Sequence, residues 1–190
     1  MYNTFFILHF FGAICVFSAA AITFLNMMGM VFSNDAKRIW NCSYWAVKME
    51  RLWFFSSILL IITSFYMVFS RWGWKFPWID ISLLMMILMI AGNFMIHRQL
   101  KVIHQLADKE TTNTPSLELI KKIRDSNLWS IVSMMALAVA GIIHLMIEKL
   151  GTAGSLLTFF ITLLIGIIGS KTILYLANKS NQKTHDQPLT

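Results

Sequence analysis

Two histidines stand inside long apolar runs of this chain, His9 in the first and His144 in the fourth. A titratable ring is expensive in hydrocarbon, so it marks a functional site by default. If the N-terminus lies outside, both rings sit about one turn from the outer ends of their runs, at matched depth. Two imidazoles on facing helices at one depth are an arrangement that ligates haem iron axially inside a helical bundle. The expectation is therefore a haem b site with His9 and His144 as axial ligands, Arg71, Lys75 and Lys149 meeting the propionates, and the tryptophans at 72, 74 and 78 flanking the ring. The alternative is that each imidazole hydrogen-bonds a nearby carbonyl or hydroxyl. The protein is then a non-catalytic membrane scaffold or assembly factor.

Other residues offer less. His97 and His104 share one helical face beside Arg98 and Lys101, a pattern suited to a membrane boundary, and His185 falls in the polar C-terminal tail. Thirteen methionines invite a copper-handling reading, because thioethers suit Cu(I). Methionine is equally an apolar filler, and no Met-x-x-Met array stands in a polar exterior segment. Hydrolytic signatures and a phosphate-binding glycine loop are absent. Cys15 and Cys42 make no disulfide framework. Asp80 and Glu148 are placed at the membrane interface rather than in a proton relay, and Lys171 snorkels.

The elements that must position these residues follow from composition. The 190 residues are 57% hydrophobic and only 13% charged, where soluble domains carry about 25% charged residues. Crossing ~30 Å of hydrocarbon takes about 20 apolar residues. Five stretches meet that requirement: 5–30, 52–69, 79–96, 128–147 and 156–176. The first has no basic residue ahead of it and is read as a retained helix rather than a secretory signal. With the N-terminus outside, 13 of the 16 basic residues fall on the cytoplasmic side, and only Arg71, Lys75 and Lys149 outside. The positive-inside rule therefore sets N-out and C-in. It also explains the net charge of +7 without nucleic acid, which is excluded as a partner. The basic segments contact anionic headgroups instead.

Between spans 1 and 2, the stretch from Ala36 to Arg51 carries Trp40, Tyr44 and Trp45 and reads as an interfacial helix or a slanted entry. Span 3 is expected to run past His97 to Ala107, a break to follow over 108–113, and Thr114-Pro115 to cap the approach to span 4. Steps of three and four put His9, Gly12, Val16, Ala19 and Thr23 on one face of span 1. In span 3 they align Ser82, Met86, Met89 and Asn93. In span 4 they align Ser126, Ser130, Ser133, Leu137, Ala140 and His144, and in span 5 Ser155, Thr158, Thr162, Gly166 and Gly169. Small and polar residues line helix contacts in membranes, so these faces are expected inside the bundle. Gly166 and Gly169 are three apart and do not form the Gly-x-x-x-Gly dimer motif.

The opening Phe6-Ile7-Leu8-His9-Phe10-Phe11-Gly12-Ala13, running into Phe17-Ser18-Ala19-Ala20, resembles the first helix of a group of small bacterial membrane proteins. The group includes HemJ-type protoporphyrinogen oxidases, CopD-type copper proteins and uncharacterised integral membrane families. The layout is most similar to the last, over roughly the first hundred residues. The resemblance to HemJ-type proteins implies haem b on His9. The Trp-Phe-Ala-Gly stretch of that family is replaced here by Val16-Phe17-Ser18-Ala19, and its Pro-Arg pair is absent, which argues against the oxidase activity itself.

The expectation is thus an all-α membrane protein, a five-transmembrane-helix bundle with the N-terminus outside and the C-terminus cytoplasmic, in the bacterial inner membrane. A single domain spans 1–179, followed by a flexible cytoplasmic tail at 180–190. Its partners are the lipid bilayer and, if haem is held, quinone or a membrane redox protein.

Overall fold

The computed structural model describes the chain through His185, with side chains through Lys179. Among the described residues all regular structure is helical: α1 Tyr2–Val31, α2 Ala36–Met67 continued by a π-helical turn Val68–Trp72, α3 Pro77–Asp108, α4 Leu117–Ile123, α5 Ser126–Glu148 and α6 Thr152–His185. Five helical stretches are long and apolar enough to cross a membrane, α4 and α5 forming one of them together. Large apolar side chains such as Phe55, Phe94, Phe160 and Leu164 point outward along them, as lipid contact requires.

The helices outrun the apolar runs. α2 begins at Ala36, sixteen residues before the apolar run at Leu52, so the tryptophan-containing segment is the helix's own first turns rather than a separate interfacial helix. Its cap is Asp35, whose carboxylate accepts from the Lys37 amide at 3.0 Å. α3 extends to Asp108, through the basic stretch. At α4 the cap is Ser116, not Thr114: the Ser116 hydroxyl accepts from the Leu119 amide at 3.3 Å, while the Thr114 hydroxyl faces Thr112. α6 continues through His185, so the first part of the expected tail is helix; residues 186–190 lie outside the described residues.

α1 packs antiparallel along α2, α5 along α6, and α3 joins the two pairs. One end of the bundle is basic and carries the α1–α2 and α3–α4 connections; the other carries His9 and the tryptophans at 72, 74 and 78. The core has two parts. Near the basic end Met30, Leu100, Ile103, Leu119 and Trp129 pack together. Nearer the tryptophan-rich end Val16, Trp53, Met85, Met89 and Leu145 do so.

Trp129 ties the short α4 to this frame. Its ring is fully buried and its indole N–H donates to the Ile123 carbonyl at 2.8 Å, satisfying one of the carbonyls left open where α4 ends. Trp129→Phe keeps the packing and removes the donor. It is expected to lower unfolding free energy by about 1 kcal/mol, measured by denaturant titration in mixed micelles; an unchanged midpoint would mean that the bond contributes nothing.

Candidate functional site

His9 lies where α1 crosses the far end of α2. Its Nδ1 is 3.1 Å from the Thr63 hydroxyl and 3.3 Å from that of Ser64. The Thr63 hydroxyl also lies 2.8 Å from the Leu59 carbonyl and 3.0 Å from that of Leu60. It has one proton, and carbonyl oxygens can only accept, so the proton goes to the helix backbone. The hydroxyl oxygen is then left as an acceptor. Nδ1 can thus donate to the Thr63 oxygen, or in the other tautomer accept from the Ser64 hydroxyl, and both contacts hold the ring in one orientation. A ring held in this way is oriented as a metal-ligating or proton-accepting imidazole is.

Beside His9 is a cavity of about 150 Å³ whose wall includes Phe17, Ser64, Trp72, Trp78 and Ser82. The chain shapes it at one turn. The π-helical segment ends at Gly73, which takes φ 69° and donates to the Val68 carbonyl at 2.8 Å. That positive φ suits glycine. Pro77 then opens α3 at its first helical position, where the missing N–H is not needed, and Trp78 follows directly. The rings of Trp72 and Trp78 meet edge to face with centroids 5.1 Å apart. Two polar atoms on this wall, the Trp78 indole N–H and the Ser82 hydroxyl, are buried without a hydrogen-bond partner. Each such group costs about 1–3 kcal/mol unless something meets it.

The structure does not place His144 at this cavity. His144 sits on the exposed side of α5, whose buried face is formed by Leu128, Trp129, Val132, Ser133, Ala138, Gly141 and Leu145. The neighbouring Ile142 and Met146, not His144, reach the cavity wall. The expected facing pair of axial imidazoles is therefore not formed. The small-and-polar stripe divides along α5: Ser133 is buried and Ser130 meets Ser170, while Ala140 and His144 further on face outward. Arg71 and Lys149 do lie at the His9 end, but over aromatic rings: Arg71 4.9 Å from the Tyr2 centroid and Lys149 5.4 Å from that of Trp72. Lys75 is exposed. At the basic end, His104 Nδ1 is 2.9 Å from the Ser43 hydroxyl and its ring packs near Trp40 and Tyr44, a structural tie between α2 and α3. His97 is half-buried on α3.

A second polar site is not apparent from the sequence. Glu50 is only 5% exposed, and its carboxylate accepts from the Asn93 side-chain amide, itself 4% exposed. Glu50 follows Lys48 and precedes Arg51, which gives the segment the look of an interfacial charge run. The helical face tells otherwise: Ile39, Ser43, Ala46, Glu50, Trp53 and Ser57 follow one another at steps of three and four, and all are buried. Lys48 and Arg51 point outward. Thr23 of α1, on the expected inner stripe, borders the same cavity as Glu50, and its buried hydroxyl lies beside the Glu50 carboxylate without meeting it in full hydrogen-bonding geometry. Compared with family models, with curated proteins and with solved structures, the chain matches none.

Proposed function

We propose that this chain is a multi-pass protein of a bacterial inner membrane, with the tryptophan-rich end outside, that binds the ring of a lipid-soluble quinol at the His9 cavity. The distribution of basic residues supports the orientation, and the resemblance of the first hundred residues supports the bacterial membrane. The observation that carries the ligand class is the donor set in an aromatic cavity. In its Nδ1–H tautomer, donating to Thr63, His9 offers Nε2 as an acceptor for a quinol hydroxyl. The unpartnered Trp78 N–H and Ser82 hydroxyl offer donors to its other oxygen. Aromatic walls and a few placed polar groups are what sites for small apolar ligands use.

The test is quenching of tryptophan fluorescence by decylubiquinol in the detergent-purified protein, with decanol as the control for the tail. Saturable quenching is expected for the quinol and not for decanol. His9→Ala and Ser82→Ala are each expected to weaken it by about tenfold, the loss of one well-placed hydrogen bond. Equal binding in wild type and His9→Ala overturns the reading and leaves the scaffold or assembly role, in which His9 only ties α1 to α2.

Haem b on His9 is the second reading, favoured by an imidazole held in place on the cavity wall. It differs from the expected two-histidine site in needing no contribution from His144. An absorption spectrum of protein purified with haem supply separates the two: a Soret band lost in His9→Ala and retained in His144→Ala puts haem ahead of quinol.

A further inference from the structure

The cavity that Glu50 borders has a volume of about 420 Å³ and lies among α1, α2, α3 and α5. One bound water takes up about 30 Å³, so water alone is a small occupant for it. Its mouth is on the lipid-facing surface between α1 and α5, where the wall residues Ala21, Ala136 and Ile143 are exposed on the outside of the bundle. Its floor is polar, with the Glu50 carboxylate and the Thr23 hydroxyl. Its sides are aromatic, with Phe17, Phe24 and Trp53.

This combination discriminates among occupants. A lipid tail would fill the apolar part and bring no countercharge to the carboxylate, whose neighbours are the neutral Asn93 amide and Thr23 hydroxyl. An anion would face a carboxylate in a low-dielectric site. A purely structural acid, satisfied by Asn93 and Thr23, needs no adjoining cavity open to the membrane. Among the described residues no basic side chain pairs with Glu50. A cation carrying apolar substituents meets every feature: the carboxylate supplies the countercharge, the aromatic faces attract positive charge, and entry from the bilayer needs no aqueous path.

We infer that the Glu50 cavity is a binding site for a lipophilic cation that enters sideways from the membrane between α1 and α5. The site adjoins the His9 cavity, with Phe17 in both walls, and does not depend on the quinol reading. Glu50 is the counterion, Asn93 positions its carboxylate, and Thr23 supplies an acceptor or donor to a polar substituent.

The experiment is equilibrium dialysis of the full chain in detergent micelles against tetraphenylphosphonium, with tetraphenylborate as a control of similar shape and opposite charge. Saturable binding of the cation and none of the anion is expected. Glu50→Gln should weaken cation binding by roughly thirtyfold or more, the effect of removing one partner of a desolvated charge pair. Ala136→Phe obstructs the mouth while keeping the carboxylate, and should weaken binding by about tenfold even if Glu50→Gln fails to fold. Gly169→Ala, which lines neither cavity, should bind the cation like wild type. Absence of saturable binding, equal uptake of the anion, or binding unchanged in both Glu50→Gln and Ala136→Phe overturns the assignment.

Discussion

Gly166→Ala is expected to destabilise the protein by about 1–3 kcal/mol, the usual effect of overpacking a tight contact. A methyl group at residue 166 would lie 2.7 Å from the Met134 Cα and 2.9 Å from its amide nitrogen. Those are backbone atoms of α5, and they cannot rotate away as a side chain would, so the two helices must separate. The same helix pair carries the hydroxyl contact between Ser130 and Ser170 at 3.2 Å, which separation would stretch. Gly169→Ala is the control on the same helix, because nothing lies within 4 Å of its added carbon. There the gain in helix propensity should leave stability unchanged or up to about 1 kcal/mol higher. Unfolding of both variants in mixed micelles tests the pair. Equal losses at 166 and 169 would place the effect in backbone propensity and not in the α5–α6 contact.

The two glycines show what can be read from one sequence. Their spacing places both near the small-residue stripe of the last span, and only the packing shows that Gly166 meets Met134 while Gly169 faces open space. The five helices were legible because an uncharged apolar run of about 20 residues is the length that crosses a bilayer and is rare in soluble domains. The inner stripe of α1 was legible for a related reason: Gly12, Val16, Ala19 and Thr23 lie at helical spacing and are all buried. In α5 the same rule held for Ser133, which is buried, and failed further along the helix. Its exposed surface contacts lipid and not water, so small residues are tolerated there, and the stripe through Ala140 to His144 carries no sign of which way it faces. Glu50 was hidden because its charge merges with its neighbours along the chain and separates from them only around the helix. Lys48 and Arg51, those basic neighbours, point outward while it points in. The unpartnered Trp78 and Ser82 groups could not be foreseen, since an orphaned donor is a property of packing and not of residue type.

The Glu50–Asn93 contact carries the other large expected effect, and a double-mutant cycle can measure it. Asn93→Leu removes the donor and leaves a carboxyl group buried without its partner, which costs about 1–3 kcal/mol and more if the group is charged. Interhelical hydrogen bonds in membranes average only about 0.6 kcal/mol because the freed groups find other partners. Here the alternatives are few: the carboxyl group is enclosed by α1, α2 and α3, and Thr23 is the one further polar side chain bordering its cavity. Glu50→Leu alone should cost less, because the Asn93 amide it leaves behind is neutral. With both replaced by leucine, no buried polar group is left unmet, and stability should return to within about 1 kcal/mol of wild type. The cycle would then show a coupling of about 1–3 kcal/mol, measured as unfolding free energies of the four proteins in one micelle system. Additive losses would mean that the two side chains do not act as a unit. If the double variant is stable and has lost tetraphenylphosphonium binding, Glu50 is held in the membrane for its ligand and not for the fold, because replacing a buried polar pair by apolar residues leaves folding intact while removing the countercharge.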